Sequence, residues 1–101
     1  MYASYIEMQL KPGKMADAIE MAKQMEADLG QMGMKQFIIV DRGNDSSTLV
    51  ALYDTAEDQV AATPKAQEII GRLADLAAAP PERVQVEVAI DHTYQTSTAG
   101  G

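Results

Sequence analysis

Apolar and polar residues alternate from Tyr2 to Leu10, with Ile6, Met8 and Leu10 on one side and Tyr5, Glu7 and Gln9 on the other. Period-two patterning of this kind predicts a strand with one covered face. Lys11-Pro12-Gly13 breaks it. From Lys14 the period lengthens: Met15, Ile19, Ala22, Met25 or Glu26, Leu29 and Met32 recur at three- and four-residue steps, which predicts one amphipathic helix stopped by Gly30 or Gly33. Phe37 to Val40 is a β-branched run, Asp41 to Ser47 is turn chemistry, and Thr48 to Tyr53 is a third strand, so these residues predict a hairpin. Thr55 with Asp58 three residues later caps a short helix over Ala56–Ala62. Thr63-Pro64 then reads as an N-cap followed by Pro at the first helical position. That helix carries Ala66, Ile69, Leu73, Leu76 and Ala77 inward, until Pro80-Pro81 ends it. Arg83 to Ile90 alternates again, with Val84, Val86, Val88 and Ile90 against Gln85 and Glu87, and predicts the fourth strand.

The order is βαββαβ, with a short helix before the last long one. Right-handed crossovers around a hairpin predict an α+β fold, the ferredoxin-like plait: a four-stranded antiparallel sheet with both long helices on one face. The domain is expected to span residues 1–91, followed by a C-terminal tail over 92–101 that is mobile at its end. Helices can cover only one face of the sheet. The second face is expected to be polar on strands one and four, through Tyr5, Glu7, Gln9, Gln85 and Glu87. The central hairpin is apolar on both faces, and a contiguous exposed apolar patch marks an interface. The expected remedy is a homodimer through the sheet face, closing a two-subunit α+β barrel with a partly wet interior. The alternative is that the tail or the short helix folds over that face.

Composition narrows the setting. The chain has 101 residues, 47% hydrophobic and 23% charged, the balance of a soluble single domain. Its apolar runs fall short of the roughly 18 residues that a membrane span needs, and no signal pattern opens the chain, so a cytoplasmic protein is expected. Without cysteine there is no disulfide, thiolate ligand or cysteine nucleophile. A net charge of −7, with its basic residues scattered, argues against nucleic acid as a partner. With aromatics at only 5%, the methionines are expected to fill gaps in an aliphatic core.

Lys11-Pro12-Gly13-Lys14 after an opening strand, a long helix, and Leu52-Tyr53-Asp54-Thr55-Ala56-Glu57-Asp58 leaving strand three together resemble the dimeric α+β barrel superfamily. In layout the chain is most similar to antibiotic biosynthesis monooxygenase-like proteins, over residues 2–91. The resemblance implies a homodimer of plaits with a ligand cavity between sheet and helices. It also implies cofactor-independent oxygenation of a small aromatic or hydrophobic substrate, or a ligand-binding or stress-associated module without turnover. Such proteins often carry Trp where Tyr53 stands, and commonly a His in the following helix, where Ala61-Ala62-Thr63 stands instead. The haem-degrading branch needs a helix His, an Asn and a Trp; this chain lacks Trp, and its one histidine is His92, past the last strand.

Five residues remain as candidates. Glu7 and Glu87 are expected on neighbouring strands and one face, where two close carboxylates would create a proton acceptor. Tyr5 and Tyr53, on central strands, could flank an aromatic ligand by stacking. His92 could act as an acid–base group, a metal ligand or a substrate contact. Solvated carboxylates, packing tyrosines and a surface histidine are the ordinary roles of the same residues. No phosphate loop, nucleophilic triad or zinc spacing is present, so no cofactor and no metal are expected.

Overall fold

The computed structural model describes residues 1–94. Three expected strands pair as the alternation demands: β1 (Tyr2–Gln9), β2 (Gln36–Gly43) and β3 (Ser46–Tyr53). The hairpin turn is tighter than its turn-rich stretch suggests, because Gly43 pairs with Ser46 and leaves a two-residue loop. Asn44 and Asp45 take positive φ of 53° and 62°, the left-handed pair that a two-residue hairpin needs. The turn is tied to the loop after β1, since Leu10 N–H donates to Asp45 O at 2.8 Å and Gly13 N–H to Asp45 Oδ1 at 3.2 Å.

Between β1 and β2 the single expected helix is interrupted. Helix α1 (Met15–Gln24) ends at Met25, which leaves helical geometry with ψ near 7°, and α2 (Glu26–Gly30) resumes beyond it. Met25 itself is buried. Helix α3 (Ala56–Ala61) is capped as expected, the Thr55 hydroxyl accepting from Asp58 N–H at 3.1 Å. Helix α4 (Thr63–Ala74) starts one residue earlier than its Thr-Pro signal implies: Ala62 takes the cap position, and Thr63 lies inside the first turn. The last strand, β4 (Glu82–Glu87), stops three residues short of the expected Ile90. Of the tail expected over 92–101, residues 95–101 lie outside the described residues.

The sheet is antiparallel in the order β2-β3-β1-β4, the ferredoxin-like plait. Its helix-covered face carries Met8, Leu49 and Ala51, and the core packs there with Leu10, Ala18, Met25, Leu29, Ile69, Leu73 and Ala77. A buried side chain fastens α3 to the sheet. Gln59 Nε2 donates to Ala3 O at 2.6 Å and Val86 O at 3.3 Å, bridging β1 and β4 from above. Gln59→Leu removes these bonds while keeping bulk, so it should cost about 1–3 kcal/mol, read as a lower urea midpoint.

One expectation about the faces is reversed. Arg83 pairs with Ile6, and Glu87 with Tyr2, so Arg83, Gln85 and Glu87 lie on the helix side of the sheet. Val84 and Val86 lie on the open side with Tyr5 and Ala3. A slip of one residue exchanges every side chain between faces, and the alternation alone does not say which face is covered. The polar set tolerates the helix side because β4 is an edge strand, where Gln85 and Glu87 still meet water.

The open face therefore forms three cross-strand rows. The first is Val40–Thr48–Glu7–Glu82, the second Ile38–Val50–Tyr5–Val84, and the third Gln36–Leu52–Ala3–Val86. Only the first row carries charge. Ile38, Val40, Val84 and Val86 remain 37–45% exposed, so the apolar surface runs from edge to edge instead of ending at the hairpin.

Candidate functional site

Two adjoining cavities on the helix side of the sheet share a wall. The outer one is an open cleft of about 550 Å³ along the β2 edge, beneath α1 and α2. Its floor is apolar (Ile19, Leu29, Phe37, Ile39) and its rim carries Lys23, Glu26, Lys35 and Asp41. The inner one is a chamber of about 30 Å³ under the helices, lined by Ser4, Met32, Ala51, Tyr53 and Arg83 among others. Leu29, Met34 and Phe37 line both, so these three side chains form the wall between cleft and chamber.

The chamber is lined by the most unusual polar group among the described residues. Tyr53 is fully buried, and its hydroxyl has no hydrogen-bond partner among the described residues. The β-branched and aliphatic run of β3 places it there, since Leu49, Ala51 and Tyr53 all turn to the helices. Leaving such a hydroxyl unpaired costs about 1–3 kcal/mol. Beside it, the partly buried Arg83 donates to Thr63 Oγ1 at 2.9 Å and Gln59 O at 3.0 Å. No carboxylate comes within ion-pair distance of it among the described residues, so the wall of the chamber holds an uncompensated positive charge.

The other candidates are dispersed. Tyr5 projects from the opposite face to Tyr53, so the two rings cannot flank one ligand within a single chain. Glu7 is separated in the same way from Glu87, which is exposed at the end of β4 on the helix side. Glu7 faces Glu82 instead, directly across the β1–β4 ladder, and both line a shallow surface groove with Tyr5, Pro80 and Val84. Like charges placed directly opposite destabilise a sheet, so Glu7→Gln should raise stability by a few tenths of a kcal/mol at low salt and less at high salt. Calorimetry at two ionic strengths checks this. His92 lies beyond β4, exposed, with its ring edge-on to Tyr94 at 4.3 Å between centroids. Among the described residues, no group of acidic or histidine side chains is arranged to hold a metal ion.

Sequence reasoning reached Tyr53 but missed Arg83. Its signal was a lone basic residue within an alternating strand, and it was legible only once the register put it under α3.

No family model matches the sequence, and no curated protein matches it. Solved structures do. A candidate antibiotic biosynthesis monooxygenase from Nitrosomonas europaea superposes with a TM-score of 0.68 at 23% identity, covering 89% of this chain and all of that one. A similar candidate from Chloroflexus aurantiacus gives 0.66 at 19% identity, over 91% of this chain and 96% of the other. A dimeric ferredoxin-like protein from an uncultured marine organism gives 0.72 at 10% identity, over 93% and 92%. The fold of this chain is that of the antibiotic biosynthesis monooxygenase-like, dimeric ferredoxin-like proteins, as its loop and strand motifs imply.

Proposed function

We propose that this chain is a cytoplasmic homodimer, closed through the open face of its sheet, that acts on a small aromatic or otherwise apolar molecule as a cofactor-independent monooxygenase. The observation that carries the reading is the buried, unpaired Tyr53 hydroxyl in a chamber walled off from an apolar cleft by Leu29, Met34 and Phe37. The cleft has the size and lining of a small-molecule site. A ligand whose rings rest on Phe37 and Ile39 and whose oxygen reaches the chamber would give Tyr53 the partner it lacks. Arg83 would favour the ionised form of that oxygen, a phenolate or enolate, by its positive charge in a poorly solvated place. An electron-rich anion of this type can itself reduce dioxygen. A methylene flanked by aromatic rings then becomes a carbonyl, one oxygen atom entering the product and the other leaving as water, with all electrons drawn from the substrate. The protein's part is to exclude water, orient the anion and stabilise its charge.

A second reading is a ligand-binding module without turnover. It is favoured by the absence of any carboxylate or imidazole among the residues lining the chamber, since Glu26 and Asp41 stand only on the rim of the cleft. Oxygen uptake with a panel of quinols and anthrones, without added metal or flavin, separates the two. Consumption of one dioxygen per carbonyl formed supports the oxygenase. Saturable binding with no uptake across the panel establishes the module.

A further inference from the structure

We infer that the C-terminal arm of each copy, Val88–Tyr94, crosses the β2 edge of a second copy and closes that copy's cleft, so that each site is completed by its partner. The inference rests on the homodimer proposed above. It begins with the two ways in which the open face can meet itself about a two-fold axis. An axis perpendicular to the strands lays the charged row on the third row, setting Glu7 over Ala3 and Glu82 over Val86. That would bury two carboxylates against apolar side chains, which costs several kcal/mol each unless they are paired. An axis parallel to the strands lays each row on its own reversed copy. Glu7 then meets Thr48, and only Glu82, on the edge strand, meets an apolar side chain, Val40, while the wholly apolar row of Ile38, Val50, Tyr5 and Val84 packs on itself about either axis. The second arrangement is the one that the side chains favour.

It also sets β4 of one copy against β2 of the other. The arm leaves β4 beyond Val86, at the end of the sheet where β2 begins with Gln36. In the partner, that end is the mouth of the cleft, where Lys35, Gln36, Lys23 and Gly30 lie. Val88 N–H is held on Met1 O at 3.0 Å, and the six residues beyond it reach about 20 Å when extended, against about 10 Å between packed sheets. The arm's own cleft is a poorer destination, because β4 and β2 are opposite edges of the sheet, about 14 Å apart across three strand spacings.

The composition of the arm fits this occupant. Ile90 is 86% exposed and Tyr94 77% exposed, the two most exposed large apolar side chains among the described residues. Asp91 lies between them and would meet a rim bearing Lys23 and Lys35. Glu26 and Asp41 stand on the same rim, Lys35 is already within 3.7 Å of Asp54, and His92 and Tyr94 are the other titratable groups on the arm.

Because the chain has no cysteine, the contact can be tested directly. Ile90→Cys and Lys23→Cys are made in separate chains, co-refolded and treated with a short bismaleimide, with light scattering run on the same samples. The expected result is a dimeric mass and a covalent dimer that forms in the mixture and in neither variant alone. A dimeric mass with no covalent dimer, or with one from Ile90→Cys alone, overturns the arm contact and leaves the homodimer standing. A monomeric mass overturns both. A second readout uses 1-anilinonaphthalene-8-sulfonate as the cleft probe. Ile90→Asp with Tyr94→Ser should weaken its binding about tenfold without changing the mass, since a large apolar contact is lost. Unchanged affinity would overturn the proposal even if the cross-link formed.

Discussion

Tyr53→Phe should stabilise the free protein and at the same time weaken its hold on an oxygen-bearing ligand. The substitution keeps the ring that packs against Ala51 and Ala62 and deletes only the hydroxyl, which is buried without a partner. Removing an unsatisfied buried group recovers about 1–3 kcal/mol. For a domain of this size, each kcal/mol corresponds to roughly 4–8 °C in melting temperature. The same deletion removes the donor proposed to meet the ligand's oxygen, so affinity should fall about tenfold or more, while ligands lacking that oxygen bind unchanged. Calorimetry on the free protein and titration with a matched phenol and its deoxy analogue give the two halves. A variant less stable than the parent would show that the hydroxyl has a partner in the free chain, and the site reading would lose its main support. Few substitutions move stability and binding in opposite directions, and those that do mark places where a fold bears a cost for function.

Val50→Asp and Leu49→Asp should fail in different ways, although the residues are adjacent. Val50 sits at the middle of the apolar row on the open face, between Ile38 and Tyr5. A carboxylate there would be buried and unpaired in the proposed dimer, at a cost of several kcal/mol for each copy. The variant should therefore be monomeric by light scattering at micromolar concentration, with its helical signal retained. Leu49 is 6% exposed in the core beneath the helices, so its replacement should abolish folding altogether. A Val50→Asp chain that stays dimeric would remove the sheet face from the interface.

The contrast between these neighbours also shows what the sequence made legible. Alternation along β1 and β3 identified the strands and the hairpin, since one face of each strand is turned to the core. On β4 the same signal was ambiguous. Its valines look like a core set, but the register pairs Arg83 with Ile6 and turns the valines to the open face. No local pattern carries that information, because register is decided across strands that are distant in sequence. The interruption at Met25 was hidden for a related reason. Met25 fits the helical apolar stripe and is buried, so its departure from helical geometry left no polar mark. Of the candidate residues, Tyr53 was recognisable by its position at the exit of strand three, whereas its isolation from water and from Tyr5 depends on the sheet. The pairing of Glu7 with Glu82 instead of Glu87 follows from the same register.

The wall between cleft and chamber has a consequence for selectivity. Met34 helps to form that wall, and Met32 lines the chamber behind it. Thioether side chains are unbranched, polarizable and slow to penalise a change of shape. Guests differing by a ring substituent or a methylene should be accommodated by a changed methionine rotamer, so bulk alone discriminates weakly among them. Under the proposed function, discrimination would then fall to the polar pair, Tyr53 and Arg83, which would read the presence and charge of one oxygen and leave the carbon frame unread. A pocket of this kind sorts molecules by functional group before it sorts them by shape. Duplicated copies of such a chain could diverge towards new aromatic guests by exchanging methionines for branched residues, with the polar pair and the sheet left intact.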